Sequence, residues 1–429
     1  MISLDFLAVQ PSQEDFQVAI DKLVDSCVPA PHGRGNQKVY DDSYRLAKEL
    51  PQNDFSLSLE ILSEAGENVL ASISELVAGP HHFTYPLDPN EDVLTLQPRL
   101  YKLNAYSKDG FFKSHRDTPK GNHHVGTLLI GLPVAYEGGE LRVSHAGKEV
   151  VFDWGSKCSE GVVTQYNDFK ISIPWAFLFS DVEHEVLPVL SGTRVTIAYD
   201  IFMFESNTGF MFPKPNIEAS TYPISNQIKS ALQNPDFLPQ GATLAIALSH
   251  AYPMPKNEMS TQGIARSLKG SDVILYRDLK SLGLDVSLEA VYKLDPDSSG
   301  YEEHYYTIPR DGYEPVLKDK SGRWVVCAYY TSETFKYRDI DIRSDSTSDY
   351  ETILEEGYYS FENFLDESDG EIDINFKPEV MWIRRPDNTF TQAGSFLAHS
   401  NEPAIGYYYA AVTFVVIVPP YGQGTRRYE

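Results

Sequence analysis

The sequence predicts a mixed α+β protein in which helices precede a strand-rich core. Apolar residues at helical spacing predict three helices, at residues 12–27, 40–50 and 66–78. Between residues 100 and 200 the pattern changes to short apolar or alternating runs separated by glycine turns, which is typical of β-strands. A later apolar run, 407–418, is rich in aromatic and β-branched residues and predicts a buried strand.

The three helical stretches have identifiable ends. Ser12 can cap the first, the second stops before Pro51, and Gly79 directly follows the third. We expect these helices to act as a scaffold outside the strand-rich core.

Within the core, four runs predict strands. Residues 128–132 are continuously apolar, as in a buried strand. A pair of glycines opens the alternating run 140–145, the apolar run 175–180 follows, and a Ser-Gly turn precedes the run 193–200.

Two candidate metal ligands lie two residues apart at the start of this core. A strand directs residues i and i+2 to one face, so His115 and Asp117 should point inward together while Arg116 points away. Two neutral imidazoles and one carboxylate suit ferrous iron and leave open coordination positions for other molecules. A His-x-Asp pair is common by chance, so a third ligand from another strand must support the assignment.

His184 and Arg194 supply that support. His184 follows the apolar run 175–180, and Arg194 lies ten residues later within the strand 193–200. A guanidinium binds a carboxylate through two parallel hydrogen bonds, so this spacing suits a short dicarboxylic acid held between the metal and Arg194. The alternative is a hydrogen-bonded core histidine at 184 and an exposed arginine at a sheet edge.

Several strings of the core resemble one known family. They are YKLNAY, HRDT, GTLLIGLP, GGEL, SDVEHEV and SGTRVTIAYD. These strings resemble the catalytic domain of the prolyl 4-hydroxylase class of 2-oxoglutarate/Fe(II) dioxygenases, and most of all fungal proteins with such a domain. The similarity extends weakly to residues 30–47, 249–253, 268–276 and 400–419.

This resemblance implies a double-stranded β-helix, or jelly roll, at residues 95–205. Residues 1–94 would form the helical support, and residues 206–429 a C-terminal α/β extension that packs on the core and roofs its pocket. We expect this roof to enclose a small molecule, because the core and its surroundings are rich in aromatic residues.

The resemblance also implies the cofactors. Fe(II) would bind His115, Asp117 and His184, and Arg194 would bind the far carboxylate of the cosubstrate 2-oxoglutarate, with O2 as the oxidant. Collagen-type prolyl hydroxylases usually have a lysine at the position of Arg194, which disfavours a collagen-like substrate. Halogenases of this broad class replace the ligand carboxylate by a small residue, so Asp117 favours hydroxylation, desaturation or ring closure.

Other residues complete the predicted pocket. Thr196, on the same strand face as Arg194, and Tyr106, on a neighbouring strand, should also contact 2-oxoglutarate. The predicted substrate contacts at the mouth of the pocket are Phe112, Arg116 and Trp175.

For the remaining histidines, the sequence favours positions without a role in the site. His123 and His124 lie in a polar stretch that predicts an exposed turn, and His145 precedes a glycine turn and should be solvated. His250 could face the pocket, but a packed histidine is the more common case.

The C-terminal region carries weaker signals. Residues 206–216 indicate a linker, 242–253 a strand that ends in a turn, and 273–276 a short strand. Arg384 and Arg385 could hold a substrate carboxylate, although a solvated pair is the more common case. Two acidic stretches, 339–356 and 366–373, predict exposed loops.

Composition narrows the function classes. The chain has 429 residues and a formal net charge of −25, which argues against nucleic acid and anionic membranes as partners. Its three cysteines lie far apart without a Cys-x-x-Cys motif, which disfavours a thiolate zinc site and fits a reducing compartment. No signal peptide and no membrane-length apolar run is evident, so the expected location is the cytoplasm.

Several functions remain open at this point. We expect a dioxygenase acting on a small molecule such as an amino acid or a natural-product intermediate. A peptidyl-proline hydroxylase, a non-catalytic binding protein on a jelly-roll scaffold, and a metal-binding cupin without 2-oxoglutarate are the alternatives. The sequence leaves the substrate, the reaction outcome and the oligomeric state open.

Overall fold

The structure is a computed structural model. It describes residues 2–3, 13–56, 66–78, 93–121, 123–155, 162–163, 169–170, 173–205, 210–213, 223–255, 264–294, 323–328, 375–376, 381–384, 400–403, 407–410 and 412–427. No helix in these ranges is both long enough and apolar enough to cross a membrane.

The N-terminal part combines helices with short strands. Its helices are α1 (Gln13–Asp25) and α2 (Gly66–Ala78). Its strands are β1 (Ile2–Ser3), β2 (Val28–Pro29), β3 (His32–Arg34), β4 (Gln37–Val39), β5 (Arg45–Leu46), β6 (Lys48–Pro51) and β7 (Phe55–Ser56). The predictions of helices at 12–27 and 66–78 are confirmed.

The helix predicted at residues 40–50 is wrong. This stretch contains β5, which pairs with residues 111 and 112, and β6, which pairs with residues 102–105. The apolar positions that fit a helix also fit short strands, and pairing with the core sheets overrides the local helix propensity.

Among the described residues from 93 to 205, twelve strands follow, and eight of them form the core. They are β8 (Val93–Tyr106), β9 (Phe111–His115), β10 (His124–Gly131), β11 (Tyr136–Gly138), β12 (Leu141–His145), β13 (Lys148–Phe152), β14 (Val162–Val163), β15 (Phe169–Lys170), β16 (Trp175–Phe179), β17 (Glu183–Val186), β18 (Val189–Gly192) and β19 (Arg194–Glu205). The strands predicted within 128–132, 140–145, 175–180 and 193–200 are therefore confirmed.

The core strands form two sheets in jelly-roll order. The major sheet has the order β16-β10-β19-β8-β6-β2, and the minor sheet has the order β13-β12-β17-β9-β5. Along the chain, β8, β10, β16 and β19 enter the major sheet, while β9, β12, β13 and β17 enter the minor one. This alternation between two sheets is the double-stranded β-helix that the resemblance implies.

The helices support the major sheet from outside. Ile20 and Leu23 of α1 and Ile73 of α2 pack in one buried apolar cluster with Leu103 of β8 and Ile197 of β19. Because side chains alternate along a strand, the neighbours of Ile197 at positions 196 and 198 face the space between the sheets. The helices therefore cover one face of the sheet and leave the other face to the interior.

The C-terminal region adds a strand to the major sheet and builds a second sheet. Its helices are α3 (Pro223–Gln233), α4 (Ile264–Ser267) and α5 (Gly270–Ser281), and a 3-10 turn spans Gly424–Arg426. Its strands are β20 (Phe210–Pro213), β21 (Ala242–Ala247), β22 (Tyr252–Pro255), β23 (Asp285–Leu294), β24 (Arg323–Ala328), β25 (Asn375–Phe376), β26 (Met381–Arg384), β27 (Tyr407–Ala410) and β28 (Val412–Val418). The second sheet has the order β25-β24-β23-β28-β21-β26.

Three predictions for this region need correction. Residues 273–276 lie inside α5, where Val273 is buried and its three successors pack against the second apolar core, so they do not form a strand. The run 407–418 forms two strands, because β27 pairs with β22 whereas β28 pairs with β21 and β23. The predicted linker contains β20, which pairs with β8. The predicted loops at 339–356 and 366–373 lie outside the described residues.

A buried ionic cluster joins the C-terminal region to the core. Asp181, in the turn between β16 and β17, is 1 % exposed and accepts hydrogen bonds from Lys269 Nζ at 2.8 Å and Ala251 N at 2.9 Å. His250 Nδ1 lies 3.2 Å from both carboxylate oxygens. Burial alone would raise the pKa of Asp181, but Lys269 and His250 hold this pKa well below its ordinary value.

Asp181→Asn should destabilise the protein, because it leaves the Lys269 ammonium buried without a counter-charge. Breaking a buried ion pair typically costs about 3–5 kcal/mol. A carboxylate with a lowered pKa in the folded state stabilises the protein above its unfolded pKa, and this contribution is lost as the pH falls through the folded pKa. The wild-type advantage should therefore be constant above about pH 5 and shrink below the ordinary value of 3.8.

Urea unfolding across this pH range measures both effects, with the exposed Asp109→Asn as the control. An Asp181→Asn protein as stable as the wild type at pH 7 would contradict the assignment of this cluster as a structural junction.

Candidate active site

The three predicted metal ligands meet between the two sheets. His115 of β9 and His184 of β17 are directly paired across the minor sheet, and their ring centroids are 4.3 Å apart. Asp117 lies two residues beyond the end of β9, with Oδ1 3.9 Å from His184 Nε2. One nitrogen or oxygen atom from each of the three lies within 4.8 Å of the others, and all three side chains are buried.

The two histidines are fixed in the form that binds a metal. His115 Nδ1 donates to the Lys113 carbonyl at 2.9 Å, and His184 Nδ1 donates to the Val182 carbonyl at 3.0 Å. Burial, helped by the neighbouring His184, holds the pKa of His115 well below its ordinary value, so this imidazole is neutral. A proton on each Nδ1 leaves each Nε2 lone pair available to a metal.

The Asp117 carboxylate is held at both oxygens. Thr127 Oγ1, on β10, donates to Oδ2 at 2.6 Å, and Asn401 Nδ2 donates to Oδ1 at 2.5 Å. Asn401 Oδ1 in turn accepts from the Thr118 backbone N–H at 2.9 Å. The amide of Asn401 thus fixes both the carboxylate and the backbone that carries it.

A cavity opens beside this group, and the empty space in it and in its solvent-filled mouth is together about 510 Å³. Arg194 lines it and is only 2 % exposed, yet its Nε and Nη2 have no hydrogen-bond partner among the described residues. Leaving buried donors of a charged group unsatisfied is costly. Arg194 is therefore a built site for an anion, and the far carboxylate of 2-oxoglutarate fits it.

The predicted helpers of Arg194 lie where the sequence placed them. Tyr106 is the direct cross-strand partner of Arg194, whose guanidinium carbon lies 5.5 Å from the ring centroid of Tyr106. Thr196 lines the same cavity two residues along β19. Their contact with 2-oxoglutarate remains a prediction.

Residues 101–200 match the family model described as the 2OG-Fe(II) oxygenase superfamily. The chain contains a 2OG-Fe(II) oxygenase domain. It is accordingly a 2-oxoglutarate- and Fe(II)-dependent dioxygenase, and the His-Asp-His group with the unpartnered Arg194 fits both the iron and the cosubstrate. No curated protein matches the chain.

The chain is also similar to solved prolyl hydroxylases. A prolyl-4-hydroxylase of Pseudomonas putida has 13 % identity and a TM-score of 0.27, with 44 % of this chain and 84 % of that chain covered. A prolyl hydroxylase of Trichoplax adhaerens, in complex with a hypoxia inducible factor peptide fragment, has 17 % identity and a TM-score of 0.27, with coverage of 46 % and 80 %. The viral collagen prolyl hydroxylase of Paramecium Bursaria Chlorella virus-1 has 13 % identity and a TM-score of 0.25, with coverage of 44 % and 91 %. The predicted fungal affinity remains a prediction.

Of the three residues predicted to contact the substrate of the dioxygenase, one lines the cavity and two do not. Phe112 lines the cavity and stacks on His115, with ring centroids 3.6 Å apart. Arg116 lies outside the cavity lining and pairs with Glu183 at 3.5 Å. Trp175, 37 % exposed on the edge strand β16, also lies outside the lining. A contact with substrate thus has geometric support at Phe112.

Several remaining candidates have structural roles. His124 is buried rather than exposed, with Nε2 3.6 Å from Asp200 Oδ1, because it begins β10 instead of ending a turn, whereas His123 is exposed as predicted. His145 is partly buried rather than solvated, and its ring stacks 4.9 Å from that of His250. Arg384 binds the Ala247 carbonyl oxygen and Ser249 Oγ outside the cavity, and Arg385 lies outside the described residues.

His145, Asp181 and His250 form a second group with metal-binding atom types within 4.8 Å. Two features disfavour a metal there. Lys269 already neutralises Asp181, and the two imidazole planes are nearly parallel at 14°, so their in-plane lone pairs do not converge. This group is better described as part of the junction around Asp181.

Sequence reasoning missed six polar residues that line the cavity. They are Arg45, Tyr101, Lys102, Asn104, Thr127 and Asn401. Lys102 and Asn104 lie in the string YKLNAY and alternate with the same period as Tyr106, which could have placed them on the cavity face. Asn401 is 284 residues from Asp117 along the chain, and no local pattern identifies such a contact.

Arg194→Ala should weaken 2-oxoglutarate binding by about tenfold or more, because a bidentate ionic contact contributes roughly 1.5–3 kcal/mol. Arg194→Lys should be intermediate, since the charge remains but the planar fork is lost. Metal binding should be nearly unchanged, because Arg194 is not a ligand. Anaerobic calorimetric titration of 2-oxoglutarate into the Mn(II) protein measures this, and equal affinities in all three proteins would make Arg194 a structural residue.

Asn401→Ala should weaken metal binding by about tenfold or more, the usual effect of removing a hydrogen bond that orients a ligand. Asn401→Asp should be worse, because it places a second carboxylate against Asp117. Titration with Co(II), followed by its absorption spectrum, reports the affinity and geometry without turnover. Asn53→Ala, which removes an exposed asparagine, is the control, and an Asn401→Ala protein with wild-type cobalt affinity would contradict this role.

Proposed function

We propose that the dioxygenase oxidises a C–H bond of a small molecule, such as an amino acid or a natural-product intermediate, by hydroxylation, desaturation or ring closure. The supporting observation is that segments from outside the core contribute to the walls of the metal pocket. Arg45, before the core, and Asn401, after it, both line the cavity, and both are buried. A pocket with walls added from both ends of the chain favours a compact ligand over an extended peptide.

The backbone around residue 400 strengthens these walls. The N–H and C=O groups of Ser400 exchange hydrogen bonds with Gly33 at 2.9 and 3.0 Å, and Thr118 Oγ1 donates to the Glu402 carbonyl at 2.5 Å. Tyr409 adds a hydroxyl within hydrogen-bond distance of the Asp117 carbonyl oxygen, at 2.9 Å. The N-terminal part, the ligand loop and the C-terminal region are thus tied together beside the metal position.

The residues divide the work of the reaction. His115, Asp117 and His184 would hold Fe(II), and Arg194 would fix the far end of 2-oxoglutarate so that its other end points to the metal. Bound Fe(II) would supply the oxidation by O2, coupled to decarboxylation of 2-oxoglutarate. The apolar walls, which include Phe112, Leu129 and Leu178, would exclude water and hold the substrate carbon in place.

Turnover by the purified protein with Fe(II), 2-oxoglutarate and a metabolite extract tests this proposal. We expect substrate-dependent succinate formation and a metabolite that gains one oxygen atom or loses two hydrogen atoms. Asp117→Ala and His184→Ala should abolish both, because each removes one of three metal ligands, while circular dichroism should show that the fold is retained.

A library of proline-containing peptides forms the second arm of this experiment. Turnover of peptides alone would replace the proposal with a peptidyl-proline hydroxylase. The absence of succinate from both arms, with Mn(II) and 2-oxoglutarate still bound, would favour a non-catalytic binding protein.

A further inference from the structure

A second group of hydrogen-bond donors lines the cavity beside the iron and cosubstrate positions. It consists of Arg45 on β5 with Lys102 and Asn104 on β8, which are 2 %, 7 % and 8 % exposed. Sheet register separates this group from Arg194. Arg194 pairs with Tyr106, whereas Asn104 pairs with Thr196 and Lys102 pairs with Ala198, one and two steps further along the cavity face.

The charges within this group are not balanced locally. Lys102 Nζ donates to Glu49 Oε2 at 2.9 Å, and the same oxygen lies 3.9 Å from Arg45 Nη1. One carboxylate therefore serves two buried cations. Burial, together with Arg45, lowers the pKa of Lys102 to about 8 against the opposing effects of Glu49 and Glu402.

The group also includes a hydrogen-bond donor that has no acceptor among the described residues. The two terminal nitrogens of Arg45 donate to the Pro31 carbonyl oxygen and to Asn104 Oδ1, but its buried Nε has no hydrogen-bond partner among the described residues. Asn104 Oδ1 accepts a hydrogen bond from Arg45. The polar atom that Asn104 can offer to a ligand is therefore its side-chain nitrogen Nδ2, which is a donor. The surface that this group presents is thus cationic and rich in donors.

The rest of the cavity offers little to balance that charge. Among the described residues that line it, Asp117 is the one carboxylate, and it is committed to the metal. The cosubstrate would place its far carboxylate on Arg194 and its other end on the metal. A further anion would add a second counter-charge for Arg45 and Lys102, which share Glu49.

Aromatic stacking links this group to the proposed metal ligand His115. The Arg45 guanidinium carbon lies 4.4 Å from the centroid of Phe112, and Phe112 stacks on the ligand His115 at 3.6 Å. A molecule anchored on Arg45 therefore needs only a few bonds to bring a carbon to the metal.

We propose that Arg45, Lys102 and Asn104 form a carboxylate subsite for the primary substrate, which is then a small organic acid or amino acid with a free carboxylate. This inference rests on the proposed oxidation of a small molecule. It adds that the substrate is anionic and that the oxidised carbon lies a few bonds from its carboxylate.

Binding to protein saturated with Mn(II) and 2-oxoglutarate tests the subsite, because the metal and Arg194 are then already occupied. The probes are acetate, hexanoate, cyclohexanecarboxylate and L-proline, each compared with its carboxamide. We expect at least one acid to bind in calorimetric titration and to raise the melting temperature, and the matching amide not to do so. Arg45→Met and Lys102→Met should each lower the affinity for that acid by about tenfold or more, and Arg45→Lys should have an intermediate effect.

The control is Arg99→Met, which removes an exposed arginine from the same strand β8 and should change nothing. The affinity for 2-oxoglutarate should stay within about threefold of wild type in the Arg45 and Lys102 variants. If either variant fails to fold, the other decides the outcome.

Three results would overturn the subsite. The first is that no acid binds the wild-type protein, and the second is that acids and amides bind equally. The third is a loss of 2-oxoglutarate affinity in Arg45→Met as large as the loss of acid affinity, which would assign these donors to the cosubstrate. Acid binding is measured without turnover, so failure of the subsite and failure of the proposed oxidation are separate results.

Discussion

The two hydrogen bonds on the Asp117 carboxylate are the constraint on which the site depends. A carboxylate beyond the end of a strand has no ladder to orient it, and β9 ends at His115. Thr127 from the major sheet and Asn401 from the far end of the chain fix its two oxygens. The geometry of the metal site is therefore a property of the whole fold, because the minor sheet, the major sheet and the C-terminal region must all be in place.

The third ligand depends on the same assembly through a different route. His184 is oriented by the carbonyl of Val182, and Val182 follows Asp181, which the C-terminal residues Lys269, His250 and Ala251 hold in a buried cluster. Tyr409 also lies within hydrogen-bond distance of the carbonyl oxygens of Asp117 and Ser180, at 2.9 and 2.6 Å. The C-terminal region thus supports the backbone on both sides of the metal position.

The sequence predicted those parts of the site that local periodicity and spacing encode. The His-x-Asp pair, the distant histidine and the arginine ten residues later come together as expected, and strands are found at the four predicted runs 128–132, 140–145, 175–180 and 193–200. The helix predicted at 40–50 was wrong because short strands there complete both sheets, and residues 273–276 are helical because their apolar side chains face a second core. Arg45 and Asn401 could not be predicted, since their positions depend on contacts between distant parts of the chain.

The alternation of side chains along β8 and β19 explains how one cavity can hold two anions in separate places. On β19, Ile197 faces the helices while Arg194, Thr196 and Ala198 line the cavity, and on β8 the same alternation brings Lys102, Asn104 and Tyr106 to that face. Each step of two residues advances the position by roughly 6.6 Å, at about 3.3 Å per residue. Arg194 and Lys102 lie two such steps apart in register, which places the two residues at different positions along the cavity. A dicarboxylic cosubstrate at one position and a separate acid at the other would satisfy both cations, whereas a neutral substrate would leave Arg45 and Lys102 buried with Glu49 as their shared counter-charge.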